Sequence, residues 1–99
     1  MKTLLYMLAI VVTLQCTAYC DRGITASGEP VRDGFCAMDK LNGTLVPFGS
    51  KVILPNGKVL IVKDRFGANH NNHLDIWMPS EDECWQFGRR NLVCEVLLP

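Results

Sequence analysis

The chain has 99 residues, with ten Lys or Arg balanced by ten Asp or Glu, two histidines and five cysteines. That length supports one small domain and excludes a separate regulatory module. Apart from Arg89-Arg90 there is no basic cluster, so the electrostatic footprint of a nucleic-acid partner is missing.

In chain order, "MKTLLYMLAIVVTLQ" opens with Lys2 and an apolar run from Leu4 to Leu14, the layout of a secretory signal. The run is too short for a bilayer span, which needs about twenty residues, so no stable membrane span is expected. Residues 1–15 are therefore expected to be a signal peptide or N-terminal hydrophobic anchor, and residues 16–99 the domain. The competing reading is a hydrophobic strand or helix of the fold itself. Cys16, Cys20, Cys36, Cys84 and Cys94 are many for so small a core, and four of them could form two disulfides. Sequence does not choose a pairing, and Cys36 and Cys94 also suit buried free thiols.

Beyond the leader, short strands alternate with turns. "TAYC", "FCAMD", "HLDIWM" and "LVCEVLL" are strand candidates. "KVILPNGKVLIVKD" is a hairpin on an Asn56-Gly57 turn, and its nearly continuous apolar arms suggest strands buried on both faces of a small closed barrel. "SEDECWQFG" is the one expected helix, near residues 80–88: Ser80 and Glu83 have capping-box spacing and Gly88 can close it. Cys84 and Phe87 would face inward, Trp85 would pack in the core beside its helix, and Tyr19 and Trp77 would pack the barrel. The sum is an all-β fold of six short strands and one helix.

Four pieces in order, "TAYCDRGITASGEPV", "GFCAMD", "VPFGSKV" and "VKDRFGANHNNHLDIW", resemble the 3D, or three-aspartate, domain family. The matching aspartates are Asp39, Asp64 and Asp75, and the resemblance runs over nearly all of residues 17–99. It implies a six-stranded double-psi β-barrel related to the catalytic barrel of membrane-bound lytic murein transglycosylases. The implied activity cleaves the β-1,4 bond between N-acetylmuramic acid and N-acetylglucosamine, leaving a 1,6-anhydromuramyl end. The implied partner is peptidoglycan glycan strands, met by a monomer that is secreted or in the cell envelope and is bacterial or phage-encoded. Phe66, His70 and Asn71 stand where the family has Gly, Lys and Gly, and extra residues in "DKLNGTLVPFG" predict a longer loop.

A glycosidic oxygen leaves only once protonated, so cleavage near neutral pH needs a carboxylic acid with a raised pKa. The resemblance assigns that role to Asp75, with Asp64 and Asp39 tuning it. Mutual repulsion in a shared groove would supply the shift. Taken singly, Asp39 and Asp64 beside turns read as backbone-bonding turn residues; Asp75 inside an apolar strand calls for a partner or a function. Thr25, Ser27, His70 and Asn72 are expected to contact sugar, and for Trp85 a sugar-stacking role is the alternative to core packing, which is the better supported. His70 and His73 beside two aspartates are of zinc-ligand type, but their spacing is not specific, and no metal or other cofactor is expected. Two rivals use the same barrel: an expansin-like domain that binds wall polysaccharide without cutting it, and a disulfide-stapled barwin-like protein.

Overall fold

The computed structural model describes residues 9–99. Lys2 and the first half of the apolar run lie outside them. Eight strands and one helix follow in order: β1 (Ala9–Tyr19), β2 (Phe35–Ala37), β3 (Lys40–Leu41), β4 (Thr44–Leu45), β5 (Lys51–Ile53), β6 (Val59–Asp64), β7 (His73–Trp77), α1 (Glu81–Phe87) and β8 (Arg90–Leu97). Six of the strands close into a barrel in the order β1-β7-β2-β6-β5-β8, and β3-β4 form a separate two-stranded sheet. An all-β closed barrel with a single short helix is thus the architecture of the described residues.

The barrel is mixed. β1 runs parallel to β7 and β2 parallel to β6, while the remaining barrel pairs are antiparallel. A parallel pair cannot be joined by a tight turn, so the chain must cross over between its strands. This brings the 20–34 connection and the 65–72 loop to the same end of the barrel as the ends of β1 and β6: the amide of Ala26 reaches Asp64, and Ser27 N–H donates to the Lys63 carbonyl.

Leu14, Cys16, Cys36, Leu60, Val62, Leu74, Ile76, Cys94 and Val96 fill the interior, all essentially inaccessible. In β1, β5, β6 and β8 their neighbours along the strand point outward and are more exposed, as period-2 alternation requires, whereas all three residues of β2 are buried. The hairpin arms follow this rule too, which corrects the expectation of strands buried on both faces. In β6, Leu60 and Val62 are inside while Val59 is 48% exposed. Val59, on the outer face of so small a barrel, has no second layer over it.

The Asn56-Gly57 turn joins β5 and β6 as expected, with Gly57 at φ 88°. The loop expected after Asp39 is instead a second hairpin. Asn42 (φ 48°) and Gly43 (φ 83°) take the two left-handed positions of its turn, and Lys40 pairs with Leu45.

β1 extends well ahead of the expected domain start at residue 16. Ala9 to Cys16 pair with Leu97 to Arg90 of β8, and Leu14 is fully buried. The expected boundary therefore falls within a barrel strand.

The helix starts as its sequence predicts, with the Ser80 hydroxyl accepting from Glu83 N–H at 3.2 Å. It has no basic residue in its last turn. Instead Arg90, across Gly88, donates to the Phe87 and Gln86 carbonyls and stacks 4.6 Å from the Phe87 ring. No helix residue is fully buried, although Phe87 packs on the core. The expected burial of Trp85 fails: the indole is 84% exposed. Trp77 is buried, its Nε1 donating to the Asp21 carbonyl at 2.8 Å.

The cysteines are thiols. Cys16, Cys36 and Cys94 meet in the core, where burial, ahead of every other influence, pushes Cys16 up to about 12 and Cys36 higher still. These three act as small hydrophobes.

Candidate active site

β7 carries Asp75 on the outward face, between Leu74 and Ile76, which are in the core. Its parallel neighbour β1 puts Thr17 in register with it, and the Thr17 hydroxyl donates to Asp75 Oδ1 at 2.9 Å. On the other side, Ala37 of β2 is in register with Asp75 and, through a bulge, with Asp64 of β6. Asp64 and Asp75 are therefore two strands apart with the smallest chiral side chain between them.

Tyr19, two residues beyond Thr17 on the same face of β1, closes the gap. Its hydroxyl donates to Asp64 Oδ2 at 3.0 Å. Burial first, and then the charge of Asp64, pushes the phenol well above its ordinary value, so it stays a neutral donor at any physiological pH. Asp64 Oδ1 accepts from the amides of Ala26 and Arg65, both at 2.9 Å. This carboxylate is thus held by three donors from three segments.

Among the described residues Asp75 has one donor, and its carboxyl is raised above the ordinary 3.8. The main cause is burial; the Thr17 hydrogen bond opposes it, and Asp21 and then Asp64 add repulsion. Crowding among three aspartates was the expected cause, so this is a correction: desolvation leads and Asp39 has no part. Asp39 is 3% exposed and spends both oxygens on the 65–72 loop, Oδ1 accepting from Phe66 N–H and Oδ2 from His70 N–H, each at 2.9 Å. Of the three aspartates, the fold brings Asp64 and Asp75 together and uses Asp39 as a loop clamp.

The 65–72 loop leans on the β3-β4 hairpin. His70 carbonyl accepts from Lys40 N–H, Asn72 N–H donates to Lys40 carbonyl, and the Asn71 and Asn72 side chains accept from Gly43 and Asn42 amides. The Asn72 amide nitrogen also donates to Asn42 Oδ1, so both ends of this side chain are occupied within the protein. Phe66, His70 and His73 form a ring cluster with centroids 4.8 to 5.3 Å apart. His73 is held below its ordinary value by burial, then by His70 and Arg89, and its Nε2 is buried without a hydrogen-bond partner. Among the described residues no group of three or more His, Cys, Asp or Glu is placed to hold a metal ion.

Thr25 is also occupied. It is 4% exposed, its hydroxyl donating to the Glu29 carbonyl and sharing a 2.8 Å hydrogen bond with Ser27 Oγ. Thr25 and Ser27 shape the loop that delivers Ala26 N–H to Asp64. Thr17 and Tyr19 are the site residues that sequence reading missed. Their role depends on the parallel register of β1 with β7, for which no local signal exists.

Compared with known proteins, the chain matches no family model, and no curated protein matches it. Among the described residues no helix is long and apolar enough to cross a membrane.

Proposed function

We propose that this barrel is a lytic transglycosylase that cleaves the MurNAc-β-1,4-GlcNAc bond of peptidoglycan, with Asp75 as general acid and then base. The observation that carries the reading is the environment of Asp75: half-buried in an otherwise apolar strand, with a single hydroxyl donor and its carboxyl raised by desolvation. A carboxyl of this kind holds its proton to higher pH than an exposed one, which is what protonating a glycosidic oxygen requires.

In the proposed reaction Asp75 gives its proton to the leaving oxygen of N-acetylglucosamine as the glycosidic bond breaks. The C6 hydroxyl of the muramic acid residue attacks its own anomeric carbon, and Asp75, now a carboxylate, takes the hydroxyl proton. Atoms balance without water, and an attacking group tethered in the substrate needs no second carboxylate to position it. Asp64, held in place by Tyr19, Ala26 and Arg65, turns its carboxyl group to the developing positive charge at the sugar ring. Asp39 acts at one remove by fixing the loop. The protein would work as a monomer on glycan strands outside the cytoplasm, as a secreted, envelope or phage-encoded factor in wall turnover or lysis.

A second reading, a wall-glycan-binding barrel without turnover, draws support from the 65–72 loop. Its Asn71 and Asn72 side chains brace the neighbouring hairpin, and its rings stack on one another. Incubation of the protein with purified sacculi separates the two. Soluble anhydromuramyl products support the transglycosylase; intact glycan that retains the protein in a sedimentation assay supports the binder.

A further inference from the structure

We propose that the cleft between the end of β1 and α1 is a subsite for a neutral pyranose ring of N-acetylglucosamine type, with Trp85 as its stacking face. The proposal rests on the glycan reading above and adds to it a place and a chemical class for one sugar unit.

The cleft has a volume of about 390 Å³, at the small end of ligand pockets, which hold roughly 300–1,000 Å³. Tyr19, Asp21, Glu81, Cys84 and Trp85 line it. Trp85 is 84% exposed on a helix whose other features all have internal reasons: Ser80 caps it, Phe87 packs on the core and Arg90 closes its end. An indole left in water gains nothing for the fold, whereas a flat apolar face with polar groups beside it suits a ring that is apolar on one side and hydroxylated at its rim. Asp21 and Glu81 supply acceptors for such hydroxyls.

Position and charge narrow the occupant. Tyr19 is shared between the cleft and the aspartate site, lining the one and donating its hydroxyl to Asp64 in the other. Asp21 likewise lines the cleft and acts on Asp75. A glycan lying across the aspartates therefore continues directly into the cleft. Among the described residues no Lys, Arg or His lines it, while two carboxylates do. A muramic unit carries a lactyl group and an acidic stem peptide, which would meet crowding and like charge there, so the unit on Trp85 is the uncharged N-acetylglucosamine of the alternating strand.

Titration of the full chain with chitotetraose, a neutral N-acetylglucosamine tetramer, followed by tryptophan fluorescence and calorimetry, tests this. Trp85→Ala should weaken binding about tenfold or more, and Trp85→Phe should recover part of the loss. Both variants should melt close to the wild type, because the side chain is 84% exposed and contributes little burial. An oligogalacturonate of the same length should bind wild type at least about tenfold more weakly than the neutral tetramer. No binding by the wild type, equal affinity for Trp85→Ala, or equal affinity for the acidic oligomer would overturn the subsite. Anhydromuramyl release from sacculi, read in parallel, keeps the two ideas separate. Products with Trp85-independent binding sink the subsite alone, and Trp85-dependent binding without products sinks the transglycosylase alone.

Discussion

Asp39 accepts two backbone amides and Asp75 accepts one hydroxyl, and that difference sets what each substitution should do. Asp39→Ala leaves the Phe66 and His70 amides without a partner in a part-buried loop, which should cost about 1–3 kcal/mol of stability, read by denaturant melting. A variant as stable as wild type would mean that the loop does not depend on the clamp. For Asp75 the sign follows from its raised pKa. The folded state favours the neutral carboxyl, so its contribution is complete below the unfolded value near 3.8 and is lost as pH rises through the folded one. Asp75→Asn carries no such loss. Its stability relative to wild type should therefore increase between about pH 4 and pH 7 in paired thermal melts; a difference that stays flat across that window would contradict a buried, proton-holding Asp75. The aspartates themselves were legible in the sequence as a trio. Asp75 was also set apart there as the expected acid; that Asp39 clamps the loop instead of joining the other two was not legible, because it depends on which backbone amides the folded loop presents.

At the scale of elements, β1 makes the sharpest demand. Its first half carries the antiparallel register with β8 and the buried Leu14. A chain beginning at Cys16 keeps only the Cys16–Arg90 end of that register and opens the barrel along one side. Loss of a buried leucine alone costs about 2–5 kcal/mol, enough with the opened edge to take a domain this small below its folding threshold. Circular dichroism of the 16–99 chain should show no cooperative melt, and a transition at the wild-type temperature would contradict the structural role assigned to residues 9–15. An apolar run from Leu4 to Leu14 reads equally as a leader's core or as a strand, since both need continuous hydrophobicity. The described part of the run, from Ala9 on, pairs with β8. Local signals did better: Asn56-Gly57 and Ser80 announced a turn and a helix start. Asn42-Gly43 carried the same turn signal as Asn56-Gly57 and marks the β3-β4 hairpin that was expected to be a loop. Trp85 was misplaced because hydrophobicity alone predicts burial, and a seven-residue helix on a barrel's edge has only one narrow side to bury.

Across the whole molecule, closure of the barrel creates the site. Thr17 and Tyr19 from β1, Ala37 from β2, Asp64 from β6 and Asp75 from β7 meet because two parallel pairs interleave. None of these residues is close to all the others in sequence, which is why composition and turn signals could indicate the barrel but not its registers. The same closure places the Trp85 cleft at the edge of the aspartate pair, so that binding and chemistry would share Tyr19 as a common wall. The central claim is that Asp75 transfers a proton to and from a glycan held there, and mass spectrometry of soluble products from purified sacculi tests it most directly. Wild-type protein should release 1,6-anhydromuramyl-ended fragments and Asp75→Asn, though folded, should release none; reducing muramyl ends from the wild type, or undiminished anhydro products from the variant, would contradict the account.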